Sequence, residues 1–74
     1  MRFNEYRYYD ISSDQEVVRL SAFNRRGHEY WINLPDDSGT AWRARRARAC
    51  DAIEAAILLG KPPGPVILEN DDDG

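Results

Sequence analysis

A single cysteine, Cys50, leaves the chain no intrachain disulfide and no cysteine-based zinc site. A single histidine, His28, beside a turn, leaves no second imidazole for a metal site and no Ser/His/Asp constellation with a plausible pocket. There is no Gly-rich phosphate loop either. Asp36-Asp37 lacks both the alternating oxygen ligands and the closing glutamate of a calcium loop, and helix capping is enough to explain it. These absences argue against an enzyme, and neither catalytic residue, metal nor cofactor is expected. No stretch approaches the ~20 apolar residues of a membrane span, and the amino end, Met1-Arg2-Phe3-Asn4-Glu5, lacks the apolar run of a signal peptide. The expectation is a protein of the reducing cytoplasm, with no membrane partner.

What is present suits one small folded domain. With 74 residues, of which 42% are hydrophobic and 31% charged, the chain can close a single core but not a deep cavity. The net charge of −3 is unevenly placed. Acids gather at Asp10, Asp14 and Glu16, at Asp36 and Asp37, and in the tail at Glu69 and Asp71 to Asp73. Bases gather at Arg25 and Arg26 and, most densely, at Arg43, Arg45, Arg46 and Arg48.

Three segments rich in β-branched and aromatic residues, 6–11, 17–23 and 28–34, read as strands of an antiparallel meander. Ser12-Ser13-Asp14-Gln15 and Asn24-Arg25-Arg26-Gly27 are the turns. Asn at the start of the second and Gly at its end fit a type I turn closed by a left-handed glycine. Alternation puts Val18, Leu20 and Ala22 with Tyr30, Ile32 and Leu34 on the core face. The reverse carries Val17, Arg19, Ser21, Phe23, Glu29, Trp31 and Asn33 as a mixed surface. Tyr9 and Ile11 are expected to be the inward residues of the first strand.

Ala-, Arg- and Leu-rich sequence predicts a helix from about 41 to 59, with Thr40 as the preferred cap and Gly60 as its end. Trp42, Ala49, Cys50, Ile53, Ala56 and Ile57 lie on the side that should cover the sheet. Arg46 lies there too, so either the first turns overhang the sheet or Arg46 meets an acid. Pro65-Val66-Ile67-Leu68 reads as a short edge strand or an extended arm. The fold class is therefore α+β, a three-stranded antiparallel meander with one helix on one face and a short C-terminal edge strand. Residues 1–68 should form the domain and 69–74 an acidic disordered tail.

The arginines at the helix start oppose the helix dipole, which disfavours cations there by a few tenths of a kcal/mol each. They therefore point to an anionic partner, either a docking molecule or the acidic tail. Trp31 and Phe23, with Tyr6 and Tyr8, could anchor a protein partner or stack on bases. The expected partner-binding residues are Arg43, Arg45, Arg46, Arg48, Arg25, Arg26, Trp31, Phe23, Asp36 and Asp37.

Tyr6-Arg7-Tyr8, Arg19, Arg25-Arg26 and Trp31 on a sheet backed by one helix resemble the sheet-reading DNA-binding domains of phage integrases and of plants, which implies nucleic-acid contact through the sheet. Tyr30-Trp31-Ile32-Asn33-Leu34-Pro35-Asp36 resembles the strand leading into Pro-Asp in HicB-type antitoxins. In size, composition and acidic patches the chain resembles small phage and mobile-element inhibitors of the anti-CRISPR type. That resemblance implies a non-enzymatic protein-binding module that occludes a nucleic-acid-handling complex. A small nucleic-acid-binding domain and a homo-oligomeric phage assembly component are the alternatives, so monomer and homodimer both stay open.

Overall fold

The computed structural model describes residues 1–35 and 41–68. Its elements are β1 (Asn4–Asp10), β2 (Gln15–Phe23), β3 (Glu29–Pro35), α1 (Ala41–Leu58) and β4 (Gly64–Pro65). The four strands form one sheet in chain order, antiparallel from β1 to β3 and parallel between β3 and β4. This is a small α+β fold with the expected β-β-β-α-β order.

Local chemistry sets both hairpins. Between β2 and β3, the Asn24 amide donates to the His28 carbonyl and the Gly27 amide to the Asn24 carbonyl, each at 3.0 Å. Gly27 has φ 85°, a left-handed value that costs glycine nothing. The Asn24 side chain fixes the turn further, its Oδ1 accepting the amides of Arg26 at 2.9 Å and His28 at 3.0 Å. Between β1 and β2, Asp10 plays the matching part. Its carboxylate accepts the Ser12 amide and hydroxyl and the Ser13 hydroxyl, and the Asp14 amide returns to the Asp10 carbonyl at 2.7 Å.

The helix ends in a Schellman motif. The Gly60 amide donates to the Ile57 carbonyl at 3.1 Å and the Lys61 amide to the Ala56 carbonyl at 3.0 Å, with Gly60 at φ 71°. Pro62 and Pro63 then prevent a new turn of helix, and the chain joins the β3 edge, where the Val66 amide reaches the Trp31 carbonyl at 2.8 Å. Of the expected apolar arm 65–68 only Pro65 pairs as strand, together with Gly64 just before it. Val66 and Leu68 instead pack beside the core.

The core lies between α1 and one face of the sheet. Leu20, Ala22, Tyr30, Ile32 and Leu34 meet Ala49, Ile53 and Ala56, with Trp42, Cys50 and Ile57 packed alongside. Every helix position expected to cover the sheet, Arg46 apart, is thus in or against the core. Burying a side chain such as Leu20 or Ile53 contributes roughly 1.5–3 kcal/mol. Tyr30 keeps its ring in this layer and donates its hydroxyl to the Lys61 carbonyl at 2.6 Å, tying β3 to the end of the helix.

Two expectations fail. Tyr9 and Ile11 are exposed, at 52% and 86%, rather than in the core. Strand β1 stops at Asp10, and α1 packs on β2 and β3, which leaves the hairpin end of β1 beyond its cover. Tyr9 lies opposite Glu16 and donates its hydroxyl to Asp14, while Ile11 falls in the turn. The reverse face is also less uniformly exposed than alternation suggests, because Val17 and Ser21 on it are buried. Thr40 and the segment 69–74 lie outside the described residues.

Candidate binding face

One helix can cover only one side of a sheet, and α1 is the single helix among the described residues. The other side, called here the open face, is set by register. Across β1 and β2, Asn4 lies opposite Ser21, Tyr6 opposite Arg19 and Tyr8 opposite Val17. Across β2 and β3, Val17 lies opposite Pro35, Arg19 opposite Asn33, Ser21 opposite Trp31 and Phe23 opposite Glu29. Tyr6, Tyr8, Phe23 and Trp31 therefore share one surface, with Arg19 at its centre.

Arg19 is held from both sides. Its Nε donates to Asn33 Oδ1 at 2.8 Å, and its guanidinium lies 4.9 Å from the centre of the Trp31 ring and 5.8 Å from that of Tyr8. Each such cation–π contact is worth about 0.5–1 kcal/mol at an exposed site. The result is a planar donor fixed between two aromatic rings before any partner arrives. Tyr6, opposite it on β1, and Phe23, further along β2 on the same face, remain about half exposed, at 47% and 48%. Ser21 is fully buried beside Trp31, and its hydroxyl has no hydrogen-bond partner.

The helix disperses its arginines instead of massing them. At about 100° per residue, Arg45 and Arg48 lie on one side, while Arg43 and Arg46 lie on another. Arg46 turns toward the sheet and pairs with Glu5 of β1, Nε to Oε1 at 3.1 Å, which supplies the acid expected for it. Arg43 and Arg48 are exposed, Arg45 is half-buried, and Arg25 and Arg26 sit exposed at the tip of the β2–β3 hairpin. Asp36 and Asp37 lie outside the described residues. The expected partner-binding residues thus divide into the open face with its hairpin tip and a separate helical surface.

Sequence reasoning named Tyr8 as a possible anchor and Arg19 as a contact implied by the DNA-binding resemblance, but placed neither among the ten expected partner-binding residues, and it gave Asn33 no binding role. The usable signal was the length of the two turns, since the Asp10–Asp14 turn sets the register that puts Tyr6 opposite Arg19 and the Asn24–Gly27 turn the one that puts Arg19 opposite Asn33. A groove of about 710 Å³ also runs between the second half of α1 and the returning segment. Ala52, Ala55, Leu59, Pro62, Val66 and Ile67 are among its lining residues, with Arg48, Asp51 and Lys61 contributing charge.

Other candidate chemistry is weak. No group of three or more His, Cys, Asp or Glu among the described residues is placed to hold a metal ion. His28 is exposed. The Cys50 thiol is pushed up, first by burial and then by Asp51 and Glu5, against an opposing pull from Arg46. That keeps it protonated and disfavours a nucleophilic role. No helix among the described residues is long and apolar enough to cross a membrane. The chain matches no family model, no curated protein and no solved structure.

Proposed function

We propose that the chain is a non-enzymatic protein-binding module whose contact surface is the open face of its sheet. The observation that carries this reading is Arg19 clamped between Tyr8 and Trp31, with Tyr6 and Phe23 half exposed on the same face. Arg, Tyr and Trp are the residues enriched at protein-interface hot spots. A prearranged guanidinium also loses little freedom on binding, so more of its contact energy is realised as affinity.

Nucleic acid is the second reading, favoured by the same aromatics, which could stack on bases. Charge on this surface is divided, because Arg19 shares the face with Glu29, Asp10 lies at one end and Arg25 and Arg26 at the hairpin tip at the other, so no continuous basic path runs along it. Backbone binding needs several cations placed to meet phosphates. A protein with an aromatic or acidic patch fits better. In its most specific form the module is an inhibitor that covers part of a nucleic-acid-handling complex in the cytoplasm, as its size and divided charge suggest.

A tagged pull-down from lysate with and without nuclease, repeated with Trp31→Ala, tests the assignment. A protein retained after nuclease and lost with Trp31→Ala supports it. Retention of nucleic acid, with affinity falling steeply and linearly in log salt, would replace it with the second reading.

A further inference from the structure

The two edges of the sheet are treated differently. The β4 edge has only Gly64 and Pro65 in strand, preceded by Pro62 and Pro63, and a proline offers no amide to a neighbouring strand. The β1 edge is seven residues long, pairs on one side only among the described residues, and has neither proline nor lysine. Long unprotected edges of this kind invite another strand.

The sequence of β1 also selects what that strand should be. Suppose it meets a second copy of itself, antiparallel about a two-fold axis. Residues on the same face must oppose one another, so the axis passes beside one residue and the alternatives are few. Centred on Glu5, the register sets Glu5 against Glu5 of the partner subunit. Centred on Arg7, it sets Arg7 against the partner's Arg7. Like charges directly opposite are destabilising. Centred on Tyr8, it sets Arg7 against the partner's Tyr9 and forms no ion pair.

Centred on Tyr6, every position finds a complement. Glu5 lies opposite the partner's Arg7 and Arg7 opposite the partner's Glu5, Tyr6 meets Tyr6 of the partner subunit, and Asn4 meets the partner's Tyr8. Extending the strand by two residues adds Phe3 opposite the partner's Tyr9 and Arg2 opposite the partner's Asp10. Within one chain, Glu5 and Arg7 already lie side by side, 3.9 Å apart, on the face that α1 covers. The crossed pairs would close this into a four-charge array.

We propose that the chain forms a two-fold homodimer through β1 in the Tyr6-centred antiparallel register, joining two four-stranded sheets into one. The pairing does not depend on what the open face binds. It would set two copies of that face side by side, presenting a bivalent surface to a repeated or symmetric target.

Sedimentation equilibrium from micromolar to near-millimolar concentration tests the dimer. Arg7→Glu sets two glutamates against each other at both crossed positions and should weaken association about 30-fold. The swap Glu5→Arg with Arg7→Glu restores opposite charges across the interface and should restore the dimer. Disulfide trapping in a Cys50→Ala background supplies a second readout that needs no charge change. Tyr6→Cys should cross-link on mild oxidation, while Tyr8→Cys, facing the partner's Asn4, should not. A wild-type chain that stays monomeric throughout, a dimer indifferent to Arg7→Glu, or cross-linking through Tyr8→Cys in place of Tyr6→Cys would each overturn the proposal.

Discussion

The guanidinium of Arg19 lies 4.9 Å from the ring centre of Trp31, while its Nε is anchored to Asn33 at 2.8 Å. A side chain this long normally keeps considerable freedom at a surface. Here Trp31 and Asn33 of β3 and Tyr8 of β1 hold it on the face opposite α1. Replacing Arg19 by alanine should therefore cost about 1 kcal/mol of stability, through lost cation–π and hydrogen-bond contacts. Arg19→Lys should recover only part of it, because an ammonium cannot stack as a planar guanidinium does. Denaturant unfolding of the three proteins measures the order.

Ser21 is fully buried next to this clamp with its hydroxyl unpartnered. A buried polar group with no hydrogen bond costs free energy that an alanine would avoid. Ser21→Ala should leave stability unchanged or raise it by up to about 1 kcal/mol. A fall of similar size in thermal unfolding would mean the hydroxyl does have a partner.

Glu5 and Arg46 join the edge strand to the helix, with side chains 33% and 42% exposed. At that exposure solvent screens the pair, and its coupling should be about 0.2–1 kcal/mol. A double-mutant cycle with Glu5→Gln and Arg46→Gln, at low and high salt, should find that value and see it shrink as salt rises.

Asp10 should leave a mark on the acid limb of the stability profile. Hydrogen bonds from the Ser12 and then the Ser13 side chains, with smaller backbone contributions, hold its carboxyl below the usual carboxylate range. A folded value below the unfolded one favours the folded state above the unfolded pKa, about 3.9, and that benefit is lost as pH falls through the folded value. Asp10→Asn should lower stability near neutrality and flatten the loss below about pH 4. Thermal unfolding across the acid range reads both effects.

The parts of the fold legible in the sequence were those fixed by local chemistry. Gly27 and Gly60 mark a left-handed turn and a helix end because few other residues accept those backbone angles cheaply. Val18, Leu20 and Ala22 alternate against a helix stripe of Ala49, Ile53 and Ala56, and both periods point to one core. The first strand resisted because its four tyrosine-or-isoleucine candidates, Tyr6, Tyr8, Tyr9 and Ile11, suit either side, and an edge strand partly outside the helix footprint buries none of them. The four helical arginines looked like one cluster along the chain. The helical turn separates them, and Glu5, far away in sequence, takes one of them. Arg19 was visible as a residue of the reverse face, but only the register shows the ring on either side of it.

The central claim is that the open face, and not the helix, meets the partner. Once the retained protein is identified, its affinity should be measured for the wild type, for Phe23→Ala with Trp31→Ala, and for Arg43→Glu, Arg45→Glu and Arg48→Glu combined. Two hot-spot aromatics at about 2 kcal/mol each predict a loss of roughly 1,000-fold for the first variant when their effects add. The helix variant should bind within about threefold of wild type, less than 1 kcal/mol. The reverse pattern, with the aromatic variant binding normally and the helix variant failing, would contradict the account and move the contact surface to α1.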